Sequence, residues 1–168
     1  MLRLFLLTSL LALAAPATAS AARYVYDVPD LVHKPLVAVK KISEIPVLLP
    51  SRMSSEHKRL YSAGEGRKNR YEFEIGAVRN CHSATACFVA DFRARRGGKP
   101  SGERKVKLAQ GTTGYFHRTH CGASCASPGI EWVQDGVWYS IEAKLGNRRT
   151  ERRILTRLAN SAIRNGPR

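Results

Sequence analysis

Two histidines that lie close together in the chain are the residues best suited to acid–base chemistry. His117 and His120 are three positions apart, beside a cysteine and a Gly-rich loop. Two imidazoles can act as general acid and general base, as a small secreted ribonuclease requires, with a lysine or arginine nearby for the phosphate. Only convergence on one concave site identifies such a pair, and polar residues are common beside tight loops. The sequence therefore favours a non-enzymatic protein, with these histidines as the catalytic candidates if it is an enzyme.

Four cysteines could hold a metal or form covalent links: Cys81, Cys87, Cys121 and Cys125. Zinc accepts Cys and His ligands, but neither the Cys-x5-Cys nor the Cys-x3-Cys spacing is usual for a zinc site. In an oxidising compartment an even number of cysteines predicts two disulfides, and three pairings are possible. The local pairs Cys81–Cys87 and Cys121–Cys125 are favoured, because each closes a short segment rich in small residues. We expect neither a metal nor a cofactor.

The N-terminal segment indicates such a compartment. Arg3 precedes an apolar run over residues 4–15, which is shorter than the ~20 residues that a membrane-spanning helix needs. Pro16 ends the run, and two small-x-small sites follow, ending at Ala19 and Ala21. This order predicts a secretory signal peptide over residues 1–21 and a periplasmic or extracellular mature protein. No later stretch is long and apolar enough to span a membrane.

The charge balance is strongly basic and unevenly distributed. The chain has 28 Lys+Arg against 13 Asp+Glu, a formal net charge of +15, and the cations are densest over residues 93–107 and 144–168. If the strands on either side of residues 96–102 form a hairpin, their cations share its outward face. Like charges across a strand pair destabilise it, so a bound anion would relieve the repulsion. The candidate anion-binding residues are Arg93, Arg95, Lys105, Lys107, Arg153 and Arg157.

A basic surface of this kind fits several anionic partners. Nucleic-acid binding usually places stacking aromatics between the cations, and only Trp138 has the strand parity to face outward. Nucleic acid is therefore the weaker alternative, and the leading hypothesis is an exported protein that binds an anionic polymer or lipid of the cell envelope. Two alternatives remain open: a small secreted hydrolase, and a structural or assembly factor whose charge only keeps it soluble.

The periodicity of the apolar residues predicts an α+β fold. Alternation over residues 71–75 and 88–95 indicates strands, and Asp135-Gly136 indicates a two-residue hairpin that pairs Trp132 with Tyr139. Residues 150–164 form an amphipathic helical pattern. We expect a curved antiparallel sheet of about 5–6 strands with this C-terminal helix packed on one face. Residues 45–166 form the single domain, and residues 22–44 form an extended lead-in containing two prolines.

Three segments carry a resemblance to a known group of domains: Ile45-Pro-Val-Leu-Leu-Pro50, Ile130-x-Trp132 with Gly136-Val137-x-Tyr139, and Leu158-Ala-Asn-Ser-Ala162. Over roughly residues 45–164 the chain resembles uncharacterised bacterial exported domains of unknown function. Some of these form the C-terminal end of anti-sigma-factor-like envelope proteins, and others are free-standing secreted proteins. The resemblance implies a curved antiparallel sheet with a terminal helix and no known catalytic residues. The two cysteine pairs are not general to that pattern.

Overall fold

A seven-stranded antiparallel sheet forms the centre of the molecule, with two helices on one face. The computed structural model describes residues 23–122 and 125–168, so the predicted signal peptide lies outside the described residues. The elements are β1 (Tyr24–Asp27), α1 (Val28–Leu31), α2 (His33–Ile42), β2 (Arg52–Ser55), β3 (Tyr61–Arg67), β4 (Arg70–Gly76), β5 (Phe88–Arg96), β6 (Arg104–Lys107), β7 (Thr113–His117), β8 (His120–Cys121), β9 (Cys125–Ala126), β10 (Gly129–Gln134), β11 (Val137–Ala143) and α3 (Glu151–Asn165). The α+β class and the C-terminal helix are confirmed.

The strand order of the main sheet is β3-β4-β5-β11-β10-β7-β6, and β1–β2 and β8–β9 form separate two-stranded ribbons. The sheet thus has more strands than the sequence predicts. The hairpin that the sequence suggests between β5 and β6 is not formed, because β11, β10 and β7 lie between them. The connection over residues 97–103 crosses the sheet instead. Ser101 in this connection donates its backbone N–H to Oε2 of the buried Glu131 on β10, at 2.5 Å.

The inner face of the sheet, which α2 and α3 cover, carries the hydrophobic core. Its largest fully buried side chains include Phe73, Phe92 and Trp132, and the apolar face of α3 packs against the same cluster. On this same face, α2 lies against the edge strand β3. A Cβ on Gly64 would lie 2.9 Å from Cβ of Pro35 in α2, so this position has no room for a side chain.

Helices occupy the segment in which the sequence predicts an extended lead-in. Within residues 22–44, the described part contains β1, α1 and α2, with Val28, Val32 and Val39 buried in the core. Pro29 and Pro35 lie in the first turns of α1 and α2, where proline is tolerated because the backbone N–H there has no helical partner. The two prolines therefore begin helices here, although in the sequence they suggest extended chain.

The predicted hairpin between β10 and β11 is confirmed. Gln134 is paired with Val137 and Trp132 with Tyr139, and the rings of the latter pair stack with centroids 5.4 Å apart. The turn residues Asp135 and Gly136 have φ values of 53° and 73°, as a type I′ turn requires. This turn fixes which side chains of β11 face outward.

Candidate anion-binding site

The outer face of the sheet, opposite the helices, carries a row of three arginines and a tryptophan. Arg67 is paired with Arg70 across the β3–β4 turn, Arg70 with Arg95 of β5, and Arg95 with Trp138 of β11. Like charges directly opposite one another on neighbouring strands are destabilising. From the sequence, this repulsion is expected between Arg95 and the cations of β6, Lys105 and Lys107. In the structure it arises between Arg95 and Arg70.

These four side chains line an open cleft of about 230 Å³. The Arg95 guanidinium lies over the Trp138 ring, with Cζ 5.7 Å from the ring centroid. The indole Nε1 is enclosed and has no hydrogen-bond acceptor among the described residues. Arg93 and two carboxylates also line the cleft: the carboxylates are Glu72, and Glu65, whose Oε1 lies 3.8 Å from Nη2 of Arg70. The cleft therefore offers cations, hydrogen-bond acceptors and an aromatic ring together.

Arg93 lies on the same face as Arg95, two residues earlier, and carboxylates surround it. Its Nε lies 3.2 Å from Oδ1 of Asp91, its Nη2 pairs with Glu142, and Glu72 is its neighbour on β4. Burial raises the pKa of Asp91 to about 7; the charge of Arg93 opposes this shift, and Glu142 and Glu72 add to it. The charge of Arg93 is thus compensated within the sheet.

Lys105 and Lys107 face the same side of the sheet as Arg93, and both are exposed on the edge strand β6. The cross-strand neighbours that connect the two regions are, in order, Arg93, Ser140, Glu131, Tyr115 and Lys105. Four strand spacings separate the ends of this row, about 19 Å at ~4.8 Å each. The structure thus preserves the predicted outward orientation of these cations and separates the two pairs.

The two helix arginines predicted to bind anions, Arg153 and Arg157, are exposed on α3. This helix lies on the inner side of the sheet, away from the arginine row. Arg157 lines a second cleft, of about 220 Å³, together with Arg23 and Arg52. Arg153 is not among the residues that line this cleft.

The two candidate catalytic histidines lie in different sheets. His117 ends β7 on the outer face, and its imidazole lies over Gly129, where a Cβ would contact both the ring and Glu142. His120 is exposed in the β8–β9 ribbon, opposite Ala126. Neither histidine lines any of the four clefts described within residues 23–122 and 125–168, so none of these clefts brings the two side chains together.

Both disulfides have the predicted local pairing, Cys81–Cys87 and Cys121–Cys125. The first closes the loop between β4 and β5. In that loop Ser83 donates its backbone N–H and its hydroxyl to the Glu74 carboxylate, both at 2.9 Å. Two disulfides indicate an oxidising environment. Within residues 23–122 and 125–168, no cluster of three or more His, Cys, Asp or Glu side chains is placed to hold a metal ion.

Comparison with known proteins gives this chain no relative: no family model, no curated protein and no solved structure matches it. The resemblance to exported domains of anti-sigma-factor-like proteins therefore stays a prediction. Among the described residues, no helix has the length and apolar character needed to cross a membrane.

Arg67 and Arg70 were not predicted as site residues, because the polar pattern of residues 51–70, with Gly64 and Gly66, does not indicate a strand. Their turn, Lys68-Asn69, has neither the glycine nor the positive φ values of a two-residue hairpin such as Asp135-Gly136. The strand alternation that places Trp138 on the outward face was the one signal in the sequence for this cleft. In the sequence it served only as an argument against nucleic-acid binding.

Proposed function

We propose that this is an exported, non-enzymatic protein that binds an acidic glycan of the cell envelope through the arginine row on its outer sheet face. The observation that carries the proposal is the cross-strand alignment of Arg67, Arg70 and Arg95 beside Trp138. The two disulfides support the exported state, because such bonds persist in oxidising compartments.

Repulsion within the row favours an anionic ligand. Arg67 and Arg95 have no carboxylate within ion-pair distance among the described residues, and Arg70 has only the exposed Glu65 at 3.8 Å. A sulfate, carboxylate or phosphate group between these guanidinium groups would replace repulsion with charge-assisted hydrogen bonds, which are about twice as strong as neutral ones. The arginine row therefore gains more from an anion than isolated surface cations do.

The other side chains that line the cleft favour a sugar. The Glu65 and Glu72 carboxylates accept hydrogen bonds, which sugar hydroxyls donate, whereas they repel a simple phosphate polymer. Trp138 offers an apolar ring against which the non-polar face of a pyranose can pack, whereas its enclosed Nε1 is not available to a ligand. A nucleic-acid strand would use several stacking aromatics interleaved with cations, and the cleft contains one tryptophan. These features support an acidic glycan over nucleic acid.

A pair of charge-matched variants tests the proposal. We expect Arg67→Ser with Arg95→Ser to weaken the binding of a heparin hexasaccharide about tenfold or more at 0.15 M salt. Lys105→Ser with Lys107→Ser removes the same charge from the sheet edge and should weaken binding by less than about threefold, the loss expected from overall charge. Titration calorimetry gives both affinities. Equal losses in the two variants would contradict the proposed site.

A second variant separates glycan recognition from simple charge attraction. Trp138→Leu leaves the net charge unchanged and keeps an apolar side chain on β11. We expect this variant to bind the heparin hexasaccharide about fivefold or more weakly and to bind inorganic polyphosphate with unchanged affinity, provided that its circular dichroism and thermal midpoint match those of the wild type. Equal loss for both probes would argue against a sugar ligand.

A further inference from the structure

A second cleft, on the helix side of the molecule, combines an apolar floor with a cationic rim. It lies between the β1–β2 ribbon and α3 and has a volume of about 220 Å³. Its floor contains the buried Met53 and Leu158 and the half-buried Leu145 and Ile154. A larger cleft of about 390 Å³, which shares Leu145, adjoins it.

Three exposed arginines come to this cleft from separate parts of the chain. Arg23 precedes β1, Arg52 begins β2, and Arg157 lies in the middle of α3. None of the three has a carboxylate within 4.0 Å among the described residues. The nearest acid in the ribbon is Asp27, the cross-strand partner of Arg52, and its carboxylate caps α1 by accepting the Asp30 N–H at 3.1 Å.

The adjoining cleft continues the same chemistry. It adds the cation Lys144 and one exposed carboxylate, Glu56. Lys144 Nζ donates to the carbonyl oxygen of Thr85 at 3.3 Å, so its charge stays near the cleft without a carboxylate partner in the described chain. Together the two clefts reach the size range of small-molecule sites, roughly 300–1,000 Å³.

We propose that this cleft binds a single-chain anionic amphiphile. The acyl chain would lie on the apolar floor formed by Leu145 and Ile154, where it would remove half-exposed side chains from water. The carboxylate or phosphate head would lie between Arg52 and Arg157, which present guanidinium donors suited to either group. This site is separate from the arginine row on the outer face, so it stands or falls independently of the glycan proposal.

Four probes distinguish an amphiphile site from a simple anion site and from a simple apolar cleft. Dodecanoate, dodecyl phosphate, dodecyl maltoside and inorganic phosphate are titrated into the full exported chain below their critical micelle concentrations. We expect the two anionic amphiphiles to bind at least tenfold more tightly than either of the other probes. Inorganic phosphate that binds as tightly as dodecyl phosphate would overturn the proposal, and so would maltoside that binds as tightly as dodecanoate.

Matched variants assign the binding to this cleft. Arg52→Ser with Arg157→Ser should lower the affinity for dodecanoate at least tenfold, and both positions are exposed, so the fold should persist. Arg152→Ser with Arg164→Ser removes the same charge from exposed positions of α3 outside the two clefts and should change the affinity less than twofold. Equal losses in the two variants would overturn the assignment. The Arg67→Ser, Arg95→Ser variant should bind dodecanoate normally, which separates this proposal from the glycan site.

Discussion

Arg93 and Arg95 lie two residues apart on the same face of one strand, yet their surroundings differ completely. Arg93 pairs with Asp91 and Glu142 and has Glu72 beside it. Arg95 is exposed, has Arg70 as its neighbour on β4, and lies over the Trp138 ring. The side chains on the neighbouring strands, rather than the residue type, determine which of these two arginines is available to a ligand.

This difference separates structural charge from binding charge. A buried ion pair is costly to break, because removing one partner leaves the other charge buried and uncompensated. An exposed cation contributes little to stability, since solvent and salt screen it. Arg93 and Arg95 therefore give opposite predictions for folding and for ligand binding.

The largest expected effect follows from removing Arg93, the half-buried cation that pairs with the buried Asp91. Arg93→Gln should lower the free energy of unfolding by about 2–4 kcal/mol at pH 8, because Asp91 and Glu142 lose their counter-charge. Arg95→Gln should change it by no more than about 0.5 kcal/mol, as expected for an exposed side chain. Urea denaturation of both variants measures the difference. Similar values for the two arginines would contradict the comparison.

The buried carboxyl beside Arg93 should respond to pH. Burial raises the pKa of Asp91 from 3.8 to about 7, so between these values the folded protein keeps a proton that the unfolded chain has released. Rising pH then lowers the stability of the wild type through this group. We expect Asp91→Asn, which has no such proton, to gain on the order of 2 kcal/mol relative to wild type between pH 4.5 and 7.5. A difference independent of pH in denaturation series would show that Asp91 titrates normally.

The crossover that keeps β5 away from β6 should depend on one buried carboxylate. Glu131→Ala removes the acceptor for the Ser101 N–H and hydroxyl, which we expect to cost about 1–2 kcal/mol. The same variant should be cleaved faster after Glu103, the one acidic residue within residues 97–103, by a glutamate-specific endoprotease. Glu103→Gln in the same background should abolish this cleavage, which assigns it to the crossover. Peptide mapping after brief proteolysis measures this rate, and unchanged cleavage would show that the crossover is held by other contacts.

The smallest expected effect concerns the acid at the edge of the arginine row. Glu65 lies 3.8 Å from Arg70, and both side chains are at least half exposed, so their ion pair is worth roughly 0.2–1 kcal/mol. Glu65→Gln should change stability very little and should weaken the binding of a heparin hexasaccharide by no more than about threefold, because an amide oxygen is a weaker acceptor for a sugar hydroxyl than a carboxylate is. Tighter binding would instead show that Glu65 only competes with the glycan for Arg70.

The elements that depend on local patterns were predictable from the sequence. The helix over residues 151–165, the Asp135-Gly136 hairpin and both disulfides follow from nearby residues, since periodicity, turn type and short loop closure are local properties. Even the outward face of Arg95 follows from strand alternation.

The order of the strands was not predictable in this way. The connection from β5 to β6 passes over β11, β10 and β7, which all occur later in the chain, and no local pattern in residues 97–103 encodes that crossing. The partners of Arg93 and Arg95 depend on this order, so the sequence could identify the cations and their face but not which of them is compensated. The helices over residues 28–42 were missed because Pro29 and Pro35 lie in their first turns.

Arginine-specific labelling with phenylglyoxal tests the contrast between Arg93 and Arg95 most directly. Peptide mass spectrometry then gives the labelling rate of each arginine. In the free protein we expect Arg67 and Arg95 to react quickly and Arg93 slowly. A bound heparin hexasaccharide should slow the labelling of Arg67 and Arg95 about tenfold, whereas Arg93, which also lines the cleft but is held in its ion pairs, should react slowly in both states. Arg93 labelled as fast as Arg95, or Arg95 labelled equally fast with and without the glycan, would contradict the account.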